Sequence, residues 1–405
     1  MGNERFDVLI VGAGPAGSFA AERLAVGGVR VALFDGRPPG EPKACGGGVT
    51  SKALKAWPHL LGAVGRTISE LDMYSPGGKR LHLKLKEPFA IYSRTAFDSY
   101  LRDRAGEAGA HIISERVSVR QRATEQDDWV VRGGSGAEWR APMLVAADGA
   151  SSRIAKDLAG ALPNSEMEVA FGYRAPLPEQ KDSPTAVAFL EGYAGYAWAF
   201  PRVDHISFGI ATTQEAFDHK ALDELLWRFM IGYYRQRSDP RAPLWRTRTK
   251  DEEICAAIRK DLEDKVERYA ARIPGLAAGT WDTRRVAGNG WALLGDAAGF
   301  ADPVTGEGIY YALRSAEFFA ESYLEGVPLS YEERWRESFG GELRRAAEMR
   351  RRFYGNFWGA PFTERMIELG SAHRGIKRVL GELVAGDQGY VDLKRKLARS
   401  AIWPL

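Results

Sequence analysis

The stretch FDVLIVGAGPAGSFAAERLA, residues 6–25, reads as a buried parallel strand, a glycine turn and a helix with no loop between them. Each glycine has its own physical reason. Gly12 permits the tight turn, Gly14 lets backbone approach a pyrophosphate, and Gly17 lets helix and strand pack closely. Pro15 and Ala16 complete the turn at the head of a helix whose N-terminus faces the phosphates. A second apolar strand, VRVALFD (29–35), ends in Asp35, 23 residues after Gly12. A carboxylate there accepts hydrogen bonds from an adenosine ribose and repels a 2′-phosphate. A glycine turn alone is a weak signal; framed by two strands and a terminal acid it predicts a bound dinucleotide.

Two later segments have the same construction. LVAADGASSR (144–153) is an apolar strand ending at Asp148, and WALLGDAAGFADPVTGEGIYYALRSA (291–316) is one ending at Gly295 and Asp296. Acids at the C-terminal ends of parallel strands mark the edge at which doubly wound sheets hold ligands. The second segment runs on into a helix with Ile309, Ala312, Leu313 and Ala316 at helical spacing.

Composition narrows the class. With 405 residues, 45% hydrophobic and 27% charged, the chain is globular and long enough for two or three domains. A net charge of +3 gives no case for nucleic-acid binding. Cys45 and Cys255 are the only cysteines, too few for a disulfide framework or a metal cluster, which suits a reducing cytoplasm. The N-terminus enters a strand pattern at once and has no signal-peptide layout; Met1-Gly2 is followed by Phe6 where myristoylation wants Ser or Thr. No apolar run reaches the ~18 residues of a spanning helix, so any membrane contact is expected to be peripheral.

In their order and separation, the GxGxxG, DG and GD segments resemble the FAD-binding domain of the p-hydroxybenzoate hydroxylase superfamily. The resemblance implies an α/β, Rossmann-like FAD-binding domain in which Asp296 holds the flavin ribityl chain. The helix N-terminus at Gly306, Gly308 and Ile309 then faces the flavin pyrimidine ring, where its partial positive charge favours anionic reduced flavin. Arg94, in YSRTAFDSYL, matches an arginine that lies near the cofactor in that superfamily. Asp35 stands where the family usually has Glu.

Within the superfamily, PxxxCGGG (Pro42, Cys45, Gly46, Gly47, Gly48) and YAWAFP (196–201) resemble the two markers of the geranylgeranyl reductase family. The resemblance covers roughly residues 1–330. It implies that the Cys45–Gly46–Gly47 loop lies beside the isoalloxazine ring, with Cys45 acting as proton donor, gate or pocket shape; a small, inert turn residue is the bland alternative. Alternation puts Tyr196, Trp198 and Phe200 on one face and Ala197 and Ala199 on the other, with Pro201 ending the strand. The aromatic face reads as a wall for a hydrocarbon chain or as ordinary core.

The expected architecture is an FAD-binding domain from 1–70, 94–165 and 280–328, an antiparallel-sheet substrate domain from 71–93 and 166–279, and a helical region 329–405 with no strand signal. Strand-like runs Val169 to Arg174 and Thr185 to Leu190 precede the aromatic hairpin. Two amphipathic helices follow, one through Leu222, Leu225, Leu226, Phe229 and Tyr233, the other through Ile254, Ile258, Leu262, Val266, Tyr269 and Ile273. Cys255 on the second carries no assigned function. Residues 331–405 hold 15 Lys and Arg against 10 Asp and Glu, mixed with aromatics, which suits either an anionic membrane surface or a solvated helical face over a core.

RGGSGAEW reads as a hairpin turn and no second GxGxxG is framed by strand and helix, so electrons come from a visiting NAD(P)H, a ferredoxin-type redox partner or another reductant. The function implied by the resemblance is an FAD-dependent reductase that saturates C=C bonds of a prenylated small molecule or lipid. Its rivals are a flavin monooxygenase or halogenase acting on an aromatic ring, and a non-catalytic flavoprotein that binds lipid or relays electrons.

Overall fold

The computed structural model describes residues 3–402 apart from 39, 41, 42, 44, 121, 123, 179–182, 214–217, 246–250, 358 and 359, and every count below refers to the described residues. The chain forms two compact units. The first comprises Met1–Pro42, Arg94–Glu166 and Ile273–Ala347, and the second Lys43–Ser93, Met167–Arg272 and Glu348–Leu405.

The first unit is built on a six-stranded sheet. Val8–Val11 lies between Val31–Phe34 and Met143–Ala146, parallel to both; His111–Ile113 extends one side and Trp291–Leu293 the other. Val8, Leu9, Ile10, Ala32, Leu33, Leu144 and Val145 are wholly buried, the physical reason these strands read as unbroken apolar runs. Helix Pro15–Val26 packs against helices Arg94–Glu107 and Ile309–Leu324. A separate four-stranded sheet contains Trp129–Gly133 paired antiparallel with Glu138–Ala141, which places the RGGSG segment in a hairpin turn.

The second unit holds an eight-stranded sheet. Its centre is antiparallel: Met167–Pro176 pairs with His205–Thr213, which pairs with Gly195–Pro201, which pairs with Ala186–Phe189. Helix His219–Ser238 covers one face, burying Leu222, Leu226, Phe229 and Tyr233 against Ala197, Ala199, Phe208 and Ile210.

Several expectations change. Residues 43–70 belong with the second unit, because Gly48–Val49 and Gly65–Tyr74 both hydrogen-bond to strand Arg80–Tyr92. The helical region 329–405 is divided, the unit boundary falling inside helix Gly341–Phe353. The second amphipathic helix stops at Glu263, and Glu267–Pro274 is instead an edge strand beside Met167–Pro176. Tyr269 and Ile273 fit a helical spacing, but Tyr269, Ala271 and Ile273 also alternate, and only the alternate residues turn inward. The tail contains a short strand pair, Asn356–Phe357 with Ala360–Pro361, too brief to leave a periodic signal.

Within the tail, Arg350 forms an ion pair with Glu168 in which both side chains are nearly buried, and Phe353 packs on Phe189 and Phe362. Those residues serve the core. Trp358, Trp403 and Pro42 lie outside the described residues. Among the described residues no helix is long and apolar enough to cross a membrane, and no acid, His or Cys cluster could hold a metal.

Candidate functional site

In the first unit three strand ends converge. Gly12 N–H donates to Phe34 O, Ala147 N–H to Val11 O, and Leu294 N–H to Ala146 O, all at 2.8–3.0 Å. This brings the glycine turn, the DG segment and the GD segment to one sheet edge. Gly12 has φ +107°, and a Cβ there would lie 2.4 Å from Ala147 O; one on Gly17 would lie 1.9 Å from Gly12 O. Neither position accepts a side chain. Gly14 caps helix Pro15–Val26, with Pro15 and Ala16 in its buried first turn.

Gly295, at φ +56°, fits between Ala16 and Ala312, each 3.2 Å from where its Cβ would lie. Its N–H donates to Ser315 Oγ at 3.1 Å, and Ser315 in turn donates to Ala312 O. The GD turn is thereby tied to helix Ile309–Leu324. Asp302, buried, accepts from Val304 N at 2.7 Å and Thr305 N at 3.1 Å and shapes the loop leading to Gly306. Asp296 Oδ1 lies 3.1 Å from where a Gly308 Cβ would be, so Asp296 and the N-terminus at Ile309 face one another with no side chain between.

Asp35 ends its strand as expected, but its carboxylate is already engaged. Arg102 Nη1 donates to it at 2.7 Å and Arg37 N–H at 3.2 Å. Arg94, buried at the start of its helix, forks onto Asp98 at 2.8 and 2.9 Å, and Arg37 approaches Asp98 at 3.5 Å. Arg102 carries no motif signal, yet its guanidinium partly neutralises Asp35 and weakens the repulsion of a 2′-phosphate. The edge has the chemistry that FAD needs: a turn tightened at Gly12 and Gly17, backbone bare of side chains at Gly14 and Gly308 for the phosphates and ring, and the carboxylates of Asp35, Asp148 and Asp296 that could accept from hydroxyls.

In the second unit the triple glycine and the aromatic strand form one structure. Ala197 and Ala199 point into the core under helix His219–Ser238, so Tyr196, Trp198 and Phe200 occupy the opposite face. A Cβ on Gly46 would lie 3.2 Å from Phe200 and 3.4 Å from Trp198 Nε1, and one on Gly48 would lie 2.7 Å from Phe89. Gly47, at φ +78°, would put its Cβ 2.1 Å from Tyr92 O. Phe89 and Phe200 meet edge to face at 6.3 Å. Trp198 lies flat across the neighbouring strand, where a Cβ on Gly209 would be 2.1 Å from its ring.

Cys45 is half-buried and free, and its Sγ accepts the Gly47 N–H at 3.3 Å. Pro201 is buried, and Arg202 after it donates through Nη2 to Cys45 O at 2.6 Å and Gly46 O at 3.2 Å. Burial, with a smaller contribution from Cys45, pushes the Tyr269 hydroxyl up to about 12; it donates to Phe208 O and meets Ser207 Oγ at 2.9 Å. Arg202 is the charged side chain that holds the backbone of the cysteine turn. In the sequence Tyr269 fits a helical spacing, and the one sign of Arg202 is its place directly after the aromatic marker.

Residues 5–318 match the family described as FAD binding domain. A chloroplastic geranylgeranyl diphosphate reductase from Oryza sativa subsp. japonica is 30% identical over 350 residues, 80% of this chain and 67% of the relative. A crystal structure of a geranylgeranyl bacteriochlorophyll reductase-like protein from Thermoplasma acidophilum superposes with a TM-score of 0.74 at 20% identity, covering 98% of this chain and 100% of that one. The flavin-dependent brominase Bmp2 gives 0.65 at 18% identity, with 98% of both chains covered. The two structures share the fold, and a shared fold does not fix the reaction.

Proposed function

The chain belongs to the geranylgeranyl reductase family of FAD-dependent oxidoreductases, and from that premise we propose that it saturates C=C bonds of a prenyl chain. One observation carries the reading. The aromatic residues of 195–201 turn away from the hydrophobic core, which the alanines fill, and the Cys45–Gly48 turn packs directly on them. On that opposite face Trp198 is buried while Tyr196 and Phe200 on either side of it stay partly exposed, which offers an apolar surface apart from the core under helix His219–Ser238.

The first unit would hold FAD through the Gly12–Gly17 turn, Asp35, Asp148, Asp296 and the helix N-terminus at Ile309. When bound and reduced, FAD supplies a hydride to one alkene carbon while the other carbon takes a proton. The chain's own residues do the remaining work. Tyr196, Trp198, Phe200 and Phe89 offer an apolar surface that orients a flexible hydrocarbon and excludes water from a carbon on which positive charge develops. Arg202 fixes the backbone of the Cys45 turn against that surface.

The test is anaerobic. Protein carrying chemically reduced flavin is mixed with a geranylgeranyl compound, and the return of oxidised-flavin absorbance is followed. Reoxidation that depends on the prenyl compound, and that is lost in Trp198→Ala with flavin content kept, supports the assignment. Reoxidation only on admitting oxygen, with turnover of an aromatic substrate, would favour a monooxygenase or halogenase.

A further inference from the structure

Arg284 is among the most deeply buried charged residues of the first unit, with only 6% of its surface exposed. Its guanidinium donates to four backbone carbonyls on two separate segments. Nη1 reaches Ala159 O and Gly160 O, both at 3.2 Å, while Nε reaches Ala298 O at 3.3 Å and Nη2 reaches Ala297 O at 3.4 Å. The first two end helix Arg153–Ala159, which Ser152 caps just after Asp148; the last two belong to the turn that carries Gly295 and Asp296. One side chain therefore ties the end of the helix that follows the DG segment to the turn of the GD segment.

The chemistry suits that position. The last carbonyls of a helix have no partner within it and favour a cation, and buried carbonyls left unpaired are costly. Burial pulls the guanidinium below its usual value, against the opposing pull of Glu166 and Glu332. An arginine is kept here despite that penalty because a planar fork can serve several acceptors in fixed directions. Its backbone is fixed in turn: Arg336 donates to Arg284 O, and Glu332 Oε2 accepts from Val286 N and Ala287 N.

We propose that Arg284 is a positioning residue for the cofactor, locking the helix that follows Asp148 to the turn that carries Asp296 so that FAD affinity depends on it. The inference rests on membership of the FAD-binding family and not on which carbon substrate reacts, so its failure would leave the saturase reading intact.

Arg284→Met and Arg284→Lys are stripped of flavin, and the FAD dissociation constant is measured by fluorescence titration beside the Tm of apo and loaded protein. Arg284→Met is expected to weaken FAD on the order of tenfold and to shrink the rise in Tm that FAD produces. Arg284→Lys, which keeps the charge and part of the donor set, should recover some of both. Amides of 153–160 and 295–300 should exchange faster in both apo variants. If Arg284→Met does not fold, Arg284→Lys decides the matter with a loss of a few-fold. Unchanged FAD affinity in either folded variant, with only the apo Tm lowered, would mean that Arg284 merely stabilises the fold and would overturn the proposal.

Discussion

Both units depend on glycines with no room for a β-carbon, but different atoms fill the space. At Gly12 and Gly17 it is backbone, Ala147 O and Gly12 O. At Gly46, Gly48 and Gly209 it is the rings of Phe200, Phe89 and Trp198. Backbone cannot yield without breaking the strand-turn-helix unit, whereas a ring can rotate or slide. The cofactor edge is therefore rigid, and the aromatic wall adjustable, which suits a constant cofactor and prenyl chains of varied length. The contrast is between the cofactor edge and the aromatic wall: within the turn Gly47 is set against Tyr92 O, and elsewhere in the second unit Gly172, Gly195 and Gly232 also meet backbone.

The comparison would break first at Gly17. Gly17→Ala drives a Cβ into Gly12 O, and the overpacking should cost about 3 kcal/mol or more. Purified protein should contain almost no flavin; normal flavin content would show that the turn is less rigid than described. Gly47→Ala comes next, combining a left-handed φ with a clash on backbone, for roughly 2–4 kcal/mol. Here Tm should fall and saturation vanish while the FAD dissociation constant stays near the wild-type value.

Gly209→Ala should act more gently, costing about 1–3 kcal/mol as the Trp198 indole is displaced. Its signature is a changed distribution of partly reduced products with full FAD content, and Gly46→Ala should give a weaker version, its Cβ meeting only ring atoms at 3.2 Å or beyond. Loss of FAD from either variant would erase the distinction between the two units.

A smaller effect is expected with pH. Burial, then the charge of Arg202, holds the His205 imidazole below its ordinary 6.5. The unfolded chain therefore binds the proton more readily. The stability contribution is fully present above 6.5 and is lost as pH falls through the lowered value, with a slope of at most about 1.4 kcal/mol per pH unit. Thermal unfolding of wild type and His205→Gln across that range checks it, the variant lacking the extra slope. Cys45→Ala should be the mildest change: if the thiol only shapes the turn through its contact with Gly47 N–H, the saturation rate stays within about threefold of wild type.

What could be read from the sequence was whatever chemistry is local. The glycine turn, the acids at strand ends and the aromatic alternation each declare themselves within a dozen residues, because strand, turn and helix impose their periods on neighbours. The strand Glu267–Pro274 was hidden because Val266, Tyr269 and Ile273 also fit a helix, and only its partner Met167–Pro176 decides between them. The membership of residues 43–70 in the second unit is hidden for the same reason, since their hydrogen-bond partners lie in strand Arg80–Tyr92. Arg284 and Arg202 were illegible in a stronger sense. Each serves backbone carbonyls more than a hundred residues away, and backbone carbonyls leave no mark in a sequence.

The most direct measurement is mass spectrometry of geranylgeranyl compounds with diphosphate, quinone and ether-lipid headgroups, incubated without oxygen with the reduced, FAD-loaded protein. The expected result is a ladder of products, each step heavier by two hydrogens, on at least one headgroup, and a ladder truncated in Gly209→Ala. Unchanged masses on every headgroup, from protein whose flavin is fully loaded and reduced, would contradict it.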